Sequence, residues 1–369
     1  MTTIIVTGAT LHEAAAWASK VVPPKPVTAV LGGLLLDARD DELVVTASDY
    51  ETWATVTVPA TVKEPGRLLL SARLLTDVAK QVNRDVDFVL DDSSGEVMAR
   101  CGRSEWSLPP LPAEDFPSSP AALPTVAEVD AAEFRRAVAR VLPAVSSDPT
   151  TPQLASVRLE PCDAGLALVA TDRYRLHVAE VPIVSGEVPE LLLVPPELLK
   201  AAAVHGGDDT LALTAKGGLF GVSSDEFRLS GRQIEASLPP WRQLLWTLTD
   251  HRVVVEAAEL RRVVDHVQVM AGSGDANFVD LRFDGDSVEA SADLTDRRAR
   301  AEGTCDARGE AIEVRLTPGY LLDALAALPS THAAVYVEKS KCLLLPCSAT
   351  GEVAAGFSAL VMGRKRPVR

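Results

Sequence analysis

Apolar residues recur at the spacing of an amphipathic helix in four segments, residues 11–22, 72–82, 130–142 and 256–270. The stripe in the last of them consists of Leu260, Val263, Val264 and Val267. Between these segments apolar and polar residues alternate along the chain, a pattern that predicts half-buried strands. Runs of strands between helices, with the helices on one side, predict an α+β fold in which helices cover one face of antiparallel sheet.

The order of these elements repeats three times, with a period of about 120 residues that is typical of whole domains. One marker of the repeat is a short strand end, Ala47-Ser48-Asp49, then Ala170-Thr171-Asp172, then Ser291-Ala292-Asp293. A second marker reads LLLSARLL, LLLVPPELL and VRLTPGYLL in the three copies. The repeat predicts three tandem domains, residues 1–124, 125–250 and 251–369, with connecting segments at 108–124 and 238–250.

The composition excludes several classes of protein. No apolar run reaches the ~20 residues of a membrane span, and the first ten residues lack the pattern of a signal peptide. Five scattered cysteines fit neither a disulfide framework nor a metal site, so reduced thiols are expected. We therefore expect a cytoplasmic protein without membrane association, metal or cofactor.

The net charge of −15 argues against nucleic-acid binding when it is taken alone, but the distribution of charge matters more. The predicted helices carry cations off their apolar faces, whereas the strands and loops carry most of the acidic residues. Helices that shared one surface would make that surface far less acidic than the rest of the molecule. The alternative is that these cations are ordinary solvent-exposed side chains on the polar faces of their helices.

Three longer motifs carry a family resemblance. They are LGGLLLDARDDELVVTASDYE at 31–51, GRSEWSLPPLPAEDFP at 102–117 and VATDRYRLHVAEVPI at 169–183. Together with the three-copy layout, they resemble the bacterial DNA polymerase III beta sliding clamp over essentially the whole chain. The resemblance implies a non-catalytic processivity factor for DNA replication.

In that family two subunits close head-to-tail into a ring of six similar domains, whose helices line a central hole. The resemblance therefore implies a homodimer that encircles double-stranded DNA without reading its sequence. The implied protein partners are the polymerase III catalytic subunit and the clamp loader, bound through short linear peptides, and other polymerases and repair proteins. A peptide inhibitor at the same cleft is a further implied ligand.

The resemblance also implies three sets of site residues. The partner-binding cleft would use Leu154, Thr171, Arg173, Tyr174, Arg175, Leu176, Pro239, Gln243, Leu244, Phe278, Thr317, Tyr320, Leu360, Val361, Met362, Gly363 and Arg364, with Leu176, Leu244, Val361 and Met362 as apolar walls. The DNA-facing cations would be Lys25, Arg73, Lys80, Arg135, Arg136, Arg140, Lys200, Arg261 and Arg262. The subunit interface would set the edge strand with Arg103, Glu105, Trp106 and Leu108 against Val269 and Met270 of the neighbour.

The chain departs from the family pattern at several positions. Lys25 replaces an Arg and loses its bidentate geometry, Pro196 and Glu197 stand where basic residues are common, and Gln243 replaces a frequent Arg. In the C-terminal tail Gly363 replaces a proline, and Arg364 places a charge where an apolar wall is expected. The altered tail suggests a divergent clamp, and one interpretation is a second copy that tolerates an inhibitor and confers antibiotic resistance.

Two other classes of function are alternatives to a clamp. An enzyme is disfavoured because no HxxxH, GxSxG, Walker or GxGxxG motif is present, and alternation along a strand separates His177 from Thr171 and Asp172. A ring-shaped protein-binding scaffold without a DNA function is the remaining alternative, favoured by the acidic net charge and by Glu197.

Overall fold

The computed structural model describes residues 2–82, 87–92, 96–188, 191–204, 209–236, 240–245, 252–274, 277–338 and 340–364. They form two compact units. The first unit contains the chain up to residue 132 with residues 184–187 and 197–233, and the second contains residues 133–183, 188–196 and the chain from 234 onward. Because neighbouring copies of the repeat share continuous sheets, the middle copy is divided between the units. The three-domain boundaries stay a prediction.

The helices are α1 (Gly8–Ala18), α2 (Ala72–Gln81), α3 (Ala131–Val141), α4 (Pro196–Val204), α5 (Ala257–Gln268) and α6 (Pro318–Ala327). The first begins earlier than the pattern predicts, because the Thr7 side chain accepts a hydrogen bond from the Thr10 amide and caps the helix. It also ends earlier, at Ala18. Ser71 caps α2 in the same way. The predicted stripe of α5 is buried in full. Helix α1 packs against α2, and α5 packs against α6.

The first unit holds two sheets built from antiparallel pairs. The smaller sheet runs β5 (Thr61–Glu64), β1 (Thr3–Thr7), β7 (Asp87–Asp91), β8 (Val97–Cys101) and β9 (Ser104–Leu108). The larger runs β10 (Pro110–Leu111), β6 (Gly66–Ser71), β2 (Gly33–Arg39), β3 (Glu42–Ser48), β4 (Thr52–Pro59), β19 (Phe227–Arg232), β18 (Leu219–Ser223), β17 (Thr210–Lys216), β11 (Thr125–Asp130) and β15 (Ile183–Gly186). Pairing of β4 with β19 therefore joins strands of the first and second copies.

The second unit repeats this plan. One sheet runs β16 (Leu192–Val194), β12 (Val157–Cys162), β13 (Gly165–Thr171), β14 (Arg175–Val181), β28 (Phe357–Met362), β27 (Lys341–Cys347), β26 (His332–Glu338), β20 (Val253–Glu256) and β24 (Asp306–Ala307). The other runs β23 (Arg298–Thr304), β22 (Ser287–Asp293), β21 (Val279–Asp284) and β25 (Ile312–Leu316). Pairing of β14 with β28 joins the second and third copies. The predicted α+β class, helices with antiparallel sheets, is confirmed.

Short 3-10 turns lie in both predicted connecting segments. Ala113–Asp115 precedes Phe116, which packs on Leu35 and Leu69 of the first unit. Trp241–Leu244 buries Trp241 on a face of the β14–β28 sheet in the second unit. Each segment is thus anchored to its sheet by one aromatic side chain. In the described part of the chain, every helix is too short or too polar to span a bilayer.

Candidate functional site

The turn between β13 and β14 is fixed by its own side chains. Thr171 Oγ1 donates to the Arg175 carbonyl at 2.6 Å, and Asp172 Oδ1 accepts from the Tyr174 and Arg175 amides at 2.9 and 3.0 Å. Arg173 adopts a left-handed backbone conformation with φ of 80°. This path leaves the ring of Tyr174 61% exposed, at the end of a buried strand. The turn therefore presents an aromatic side chain from a rigid base.

Arg175 connects this turn to α6. Its Nε donates to Asp172 Oδ2 at 3.0 Å, and its terminal nitrogen donates to Asp323. The guanidinium also lies over the Tyr320 ring, 4.5 Å from the centroid. Tyr320 in turn stacks on Tyr174 with ring centroids 6.3 Å apart. Two aromatic rings and a cation thus form one continuous surface.

The Tyr320 phenol remains neutral in this surface at ordinary pH. Partial burial, and secondarily the Asp172 carboxylate, raise its pKa above the ordinary tyrosine value. A neutral phenol can donate and accept hydrogen bonds, so it suits a ligand with peptide groups.

An apolar floor lies beside this surface. Leu176, Trp241, Leu343 and Leu360 are buried together, and Met362 and Leu245 pack partly exposed against them. Trp241 is oriented by its indole N–H, which donates to Glu160 Oε1 at 2.8 Å, and by Arg242, which lies over its ring at 4.5 Å. Leu244, on the same 3-10 turn, is 40% exposed. Leu244, Leu245 and Met362 are therefore the apolar side chains that reach the surface here.

The C-terminal tail runs along the edge of the same surface. The Met362 amide donates to the Tyr174 carbonyl at 2.7 Å. Arg364 is half-buried, with its amide on the Arg315 carbonyl at 2.8 Å and its Nε on Thr317 Oγ1 at 3.2 Å. Arg315 lies over the Phe278 ring at 3.8 Å and binds Asp280 through two nitrogens. Thr317, Phe278 and the tail residues of the predicted cleft are thus connected.

We call the surface made by Tyr174, Arg175, Leu176, Trp241, Tyr320, Leu360 and Met362 the aromatic groove. All of its residues belong to the second unit. Leu154 is buried with its carbonyl bonded to the Ser146 amide, and Gln243 is exposed on the 3-10 turn. Pro239 lies outside the described residues.

Two details differ from the sequence prediction. Val361 is fully buried and points to the opposite face of β28 from Leu360 and Met362, because side chains alternate along a strand. It therefore cannot be a wall of the groove. Gly363 is not a loosened replacement for proline: its amide donates to the Ser340 carbonyl, and a Cβ there would lie 2.6 Å from that oxygen. The tail takes this path only with glycine.

The sequence reasoning missed Trp241, Glu160 and Asp323. Trp241 lies in a predicted connecting segment, where the sequence has no helical or strand period. The one available signal was an isolated tryptophan between Pro240 and Arg242. Asp323 and Glu160 contribute only through contacts between distant segments, which no local pattern shows.

The predicted interface strand β9 is the last strand of the five-stranded sheet. Arg103 and Glu105 are exposed, and Trp106 is half-exposed with its ring stacked on Phe88 at 6.2 Å. Leu108 is buried within its own unit, so its side chain cannot contact a partner subunit as predicted. In the second unit Val269 and Met270 follow α5 and are 73% and 40% exposed.

Comparison with known proteins decides the family. A family model described as the N-terminal domain of the DNA polymerase III beta subunit matches residues 2–120, and the model for its central domain matches residues 128–240. The beta sliding clamp of Streptomyces coelicolor is 34% identical over 88% of both chains. The chain belongs to the beta sliding clamp family. Its function is that of a DNA sliding clamp.

Other similar proteins include the beta sliding clamp homolog GriR of Streptomyces muensis, 29% identical over 88% of this clamp and 87% of the homolog. A Pseudomonas aeruginosa clamp solved with bound griselimycin has a TM-score of 0.91 at 20% identity, covering 99% of this chain and 100% of that one. A Bartonella birtlesii clamp, also solved with griselimycin, has a TM-score of 0.90 at 18% identity over the same shares. These structures show the clamp fold.

Four of the nine cations predicted to face DNA are paired with described carboxylates in this clamp. The pairs are Arg73 with Asp77 at 3.8 Å, Arg136 with Glu133 at 2.7 Å, Lys200 with Glu197 at 2.8 Å and Arg262 with Glu259 at 2.7 Å. Lys25, Lys80 and Arg261 are exposed, without a carboxylate in reach among the described residues. Arg135 is half-buried, and burial lowers the pKa of Arg140. The positive charge on the helices is therefore smaller than their composition implies.

Proposed function

We propose that two copies of this clamp close head-to-tail into a ring around double-stranded DNA, in the cytoplasm. The family supports a ring, and two open sheet edges support the mode of closure. Strand β9 ends a sheet of the first unit, and β23 ends the four-stranded sheet of the second. An open edge can accept a strand from another chain, and pairing of two different edges gives a head-to-tail contact.

Retention on DNA of different shapes tests the ring. A clamp loaded on nicked circular DNA should remain bound in moderate salt and should be released when the DNA is linearised. Retention on both forms would indicate ordinary surface binding. Retention on neither, together with intact peptide binding, would support a protein-binding scaffold without a DNA function.

We further propose that the aromatic groove binds short linear peptides from the polymerase III catalytic subunit, the clamp loader and other polymerases and repair proteins. The carrying observation is the fixed turn at Tyr174 and Arg175 beside the apolar floor of Leu176 and Leu360. The turn offers polar groups to a peptide backbone, and the floor offers a site for an apolar anchor. Rigid aromatic residues beside a desolvated floor are typical of peptide hot spots.

A peptide scan tests the groove. Overlapping peptides from the host polymerase and clamp loader would be titrated against the clamp and against Tyr174→Ala. The variant should lose about 2 kcal/mol of binding free energy, which is roughly 30-fold in affinity. Tyr50→Ala is the matched control, since Tyr50 is an exposed tyrosine of the first unit. Equal losses in the two variants would remove the groove from partner binding.

We also propose that Arg364 makes the groove less favourable for an apolar inhibitor, as expected of an inhibitor-tolerant second clamp copy. Its half-buried guanidinium approaches Thr317 at the end of the groove. Placing a cation beside an apolar ligand costs roughly 1 kcal/mol or more. Arg364→Met should therefore bind griselimycin about fivefold or more tightly in calorimetric titration, whereas the exposed Arg308→Met should not change. Equal affinity in all three proteins would leave the tail without a role in tolerance.

A further inference from the structure

A second concave surface lies in the first unit, on the face of the ten-stranded sheet beneath residues 116–123. It encloses about 490 Å³. Strands β6, β2, β3, β4 and β19 form its floor, and the proline-rich segment forms one side. We call this surface the arginine groove, after Arg39, Arg67 and Arg228 in its lining.

The three arginines have an unusual electrostatic setting for this acidic chain. None of them has a carboxylate oxygen within 4.0 Å among the described residues, whereas Arg136, Arg262 and many other surface arginines have one. Asp37 is the acidic residue among those that line the groove, and it forms no ion pair in the described structure. A concave surface with unneutralised arginines attracts anions even when the net charge is −15.

The arginines lie at opposite ends of the groove. Arg67 pairs in register with Asp37 on β2, while Arg228 pairs with Thr55 on β4. Four strand spacings of about 4.8 Å therefore separate Arg67 from Arg228 at the backbone, roughly 19 Å. A single phosphate or carboxylate occupies only one end. An extended peptide spans the distance with about six residues at ~3.3 Å each.

The centre of the groove suits a peptide backbone. The Thr46 and Thr55 hydroxyls lie 3.4 Å apart on the floor. The Trp53 indole nitrogen is buried without an acceptor in the described part of the chain. A buried donor of this kind is normally paired, so a carbonyl group of a ligand would complete it.

We propose that the arginine groove binds an extended acidic peptide of about six residues, with carboxylates at both ends and apolar residues between them. The internal repeat gives the site a counterpart, since the β4–β19 junction corresponds to the β14–β28 junction beneath the aromatic groove. The two surfaces differ in chemistry, one basic and one apolar, and lie in different units. The proposal is independent of ligand binding at the aromatic groove.

Fluorescence anisotropy tests the proposal with a labelled Glu-Glu-Leu-Leu-Glu-Glu peptide as the probe. The clamp should bind this peptide at low salt and should bind Gln-Gln-Leu-Leu-Gln-Gln at least tenfold more weakly. Arg67→Gln and Arg228→Gln should each weaken the acidic peptide at least fivefold. Arg232→Gln is the matched control, since Arg232 lies on the same strand and face as Arg228 but is already paired with Glu51 at 3.0 Å.

Each other result contradicts the proposal in a distinct way. Equal weakening by Arg232→Gln would mean general attraction to a positive surface. Tighter binding of a thymidine hexanucleotide, lost in the same variants, would assign the groove to nucleic acid. No binding of the acidic peptide to the folded clamp would exclude the site. Tyr174→Ala should leave this binding unchanged, which separates it from the aromatic groove.

Discussion

Arg175 is the residue on which the aromatic groove depends most, and Arg175→Met tests that dependence. The substitution keeps the apolar stem and removes the charge. Arg175 and Asp172 are 11% and 13% exposed at their side chains, and removing one partner of a buried pair costs about 3–5 kcal/mol. The cost is smaller here, because Asp172 keeps two backbone donors. Asp323 is 46% exposed, so its ion pair adds little.

We therefore expect a loss of about 2–3 kcal/mol in the free energy of unfolding. For a unit of this size the loss corresponds to a fall of about 5–10 °C in melting temperature. Calorimetry of the second unit's transition in the full-length protein measures it. Peptide binding at the groove should weaken as well, since Tyr320 loses the cation that lies over its ring.

Arg173→Met is the matched control, because Arg173 is two residues away and exposed. It should change the melting temperature by about 1 °C or less, as surface substitutions usually do. A melting temperature of Arg175→Met within 1 °C of the parent protein would refute this reasoning, because the turn and α6 would then be held without the ion pairs.

Three further predictions concern other parts of the clamp. Trp106→Glu should give monomers in sedimentation analysis, because it would bury a charge in the subunit interface. Glu105→Gln should stay dimeric, and a dimeric Trp106→Glu would exclude β9 from the interface. Replacing Lys80 and Arg261 with Gln should reduce the slope of log affinity for DNA against log salt by about two per subunit, or about four for a ring of two subunits; an unchanged slope would mean that these cations do not contact phosphates. Burial lowers the pKa of His177, so its contribution to stability is present above about pH 6.5, the unfolded value, and is lost as the pH falls below it. The difference in melting temperature between the parent and His177→Gln should therefore narrow below that pH, and a constant difference would contradict the buried neutral imidazole.

The fold was largely predictable because the helices follow a strict period. The stripe of α5 and the caps of α1 and α2 are local features, and the repeat adds the order of the elements. The pairing of β4 with β19 and of β14 with β28 was not predictable, since it joins strands more than a hundred residues apart. Those pairings divide the middle copy, which no boundary in the sequence indicates.

The site was predictable only where the family motif supplies it. Thr171 to Leu176 and the tail were expected from the resemblance, and the structure brings them together. The burial of Val361 follows from strand alternation, which the motif alone does not orient. The pairing of Arg262 with Glu259 follows from their spacing of three residues on a helix, so this part of the charge distribution is predictable from the sequence.

The sheets that run through neighbouring copies determine where the gene can be recombined. A crossover near residue 124 would take β4 and β19 from different parents, and a crossover near residue 250 would do the same to β14 and β28. Side chains that contact each other across each strand pair would then come from different parents, which forms a seam in the sheet. Exchanging the middle copy as a block would create two such seams at once. Chimeras that keep residues 52–59 with 227–232, and residues 175–181 with 357–362, from one parent should therefore express best. The units to keep intact in recombination are therefore the strand pairs β4–β19 and β14–β28. Their boundaries differ from those of the repeated segments in the sequence.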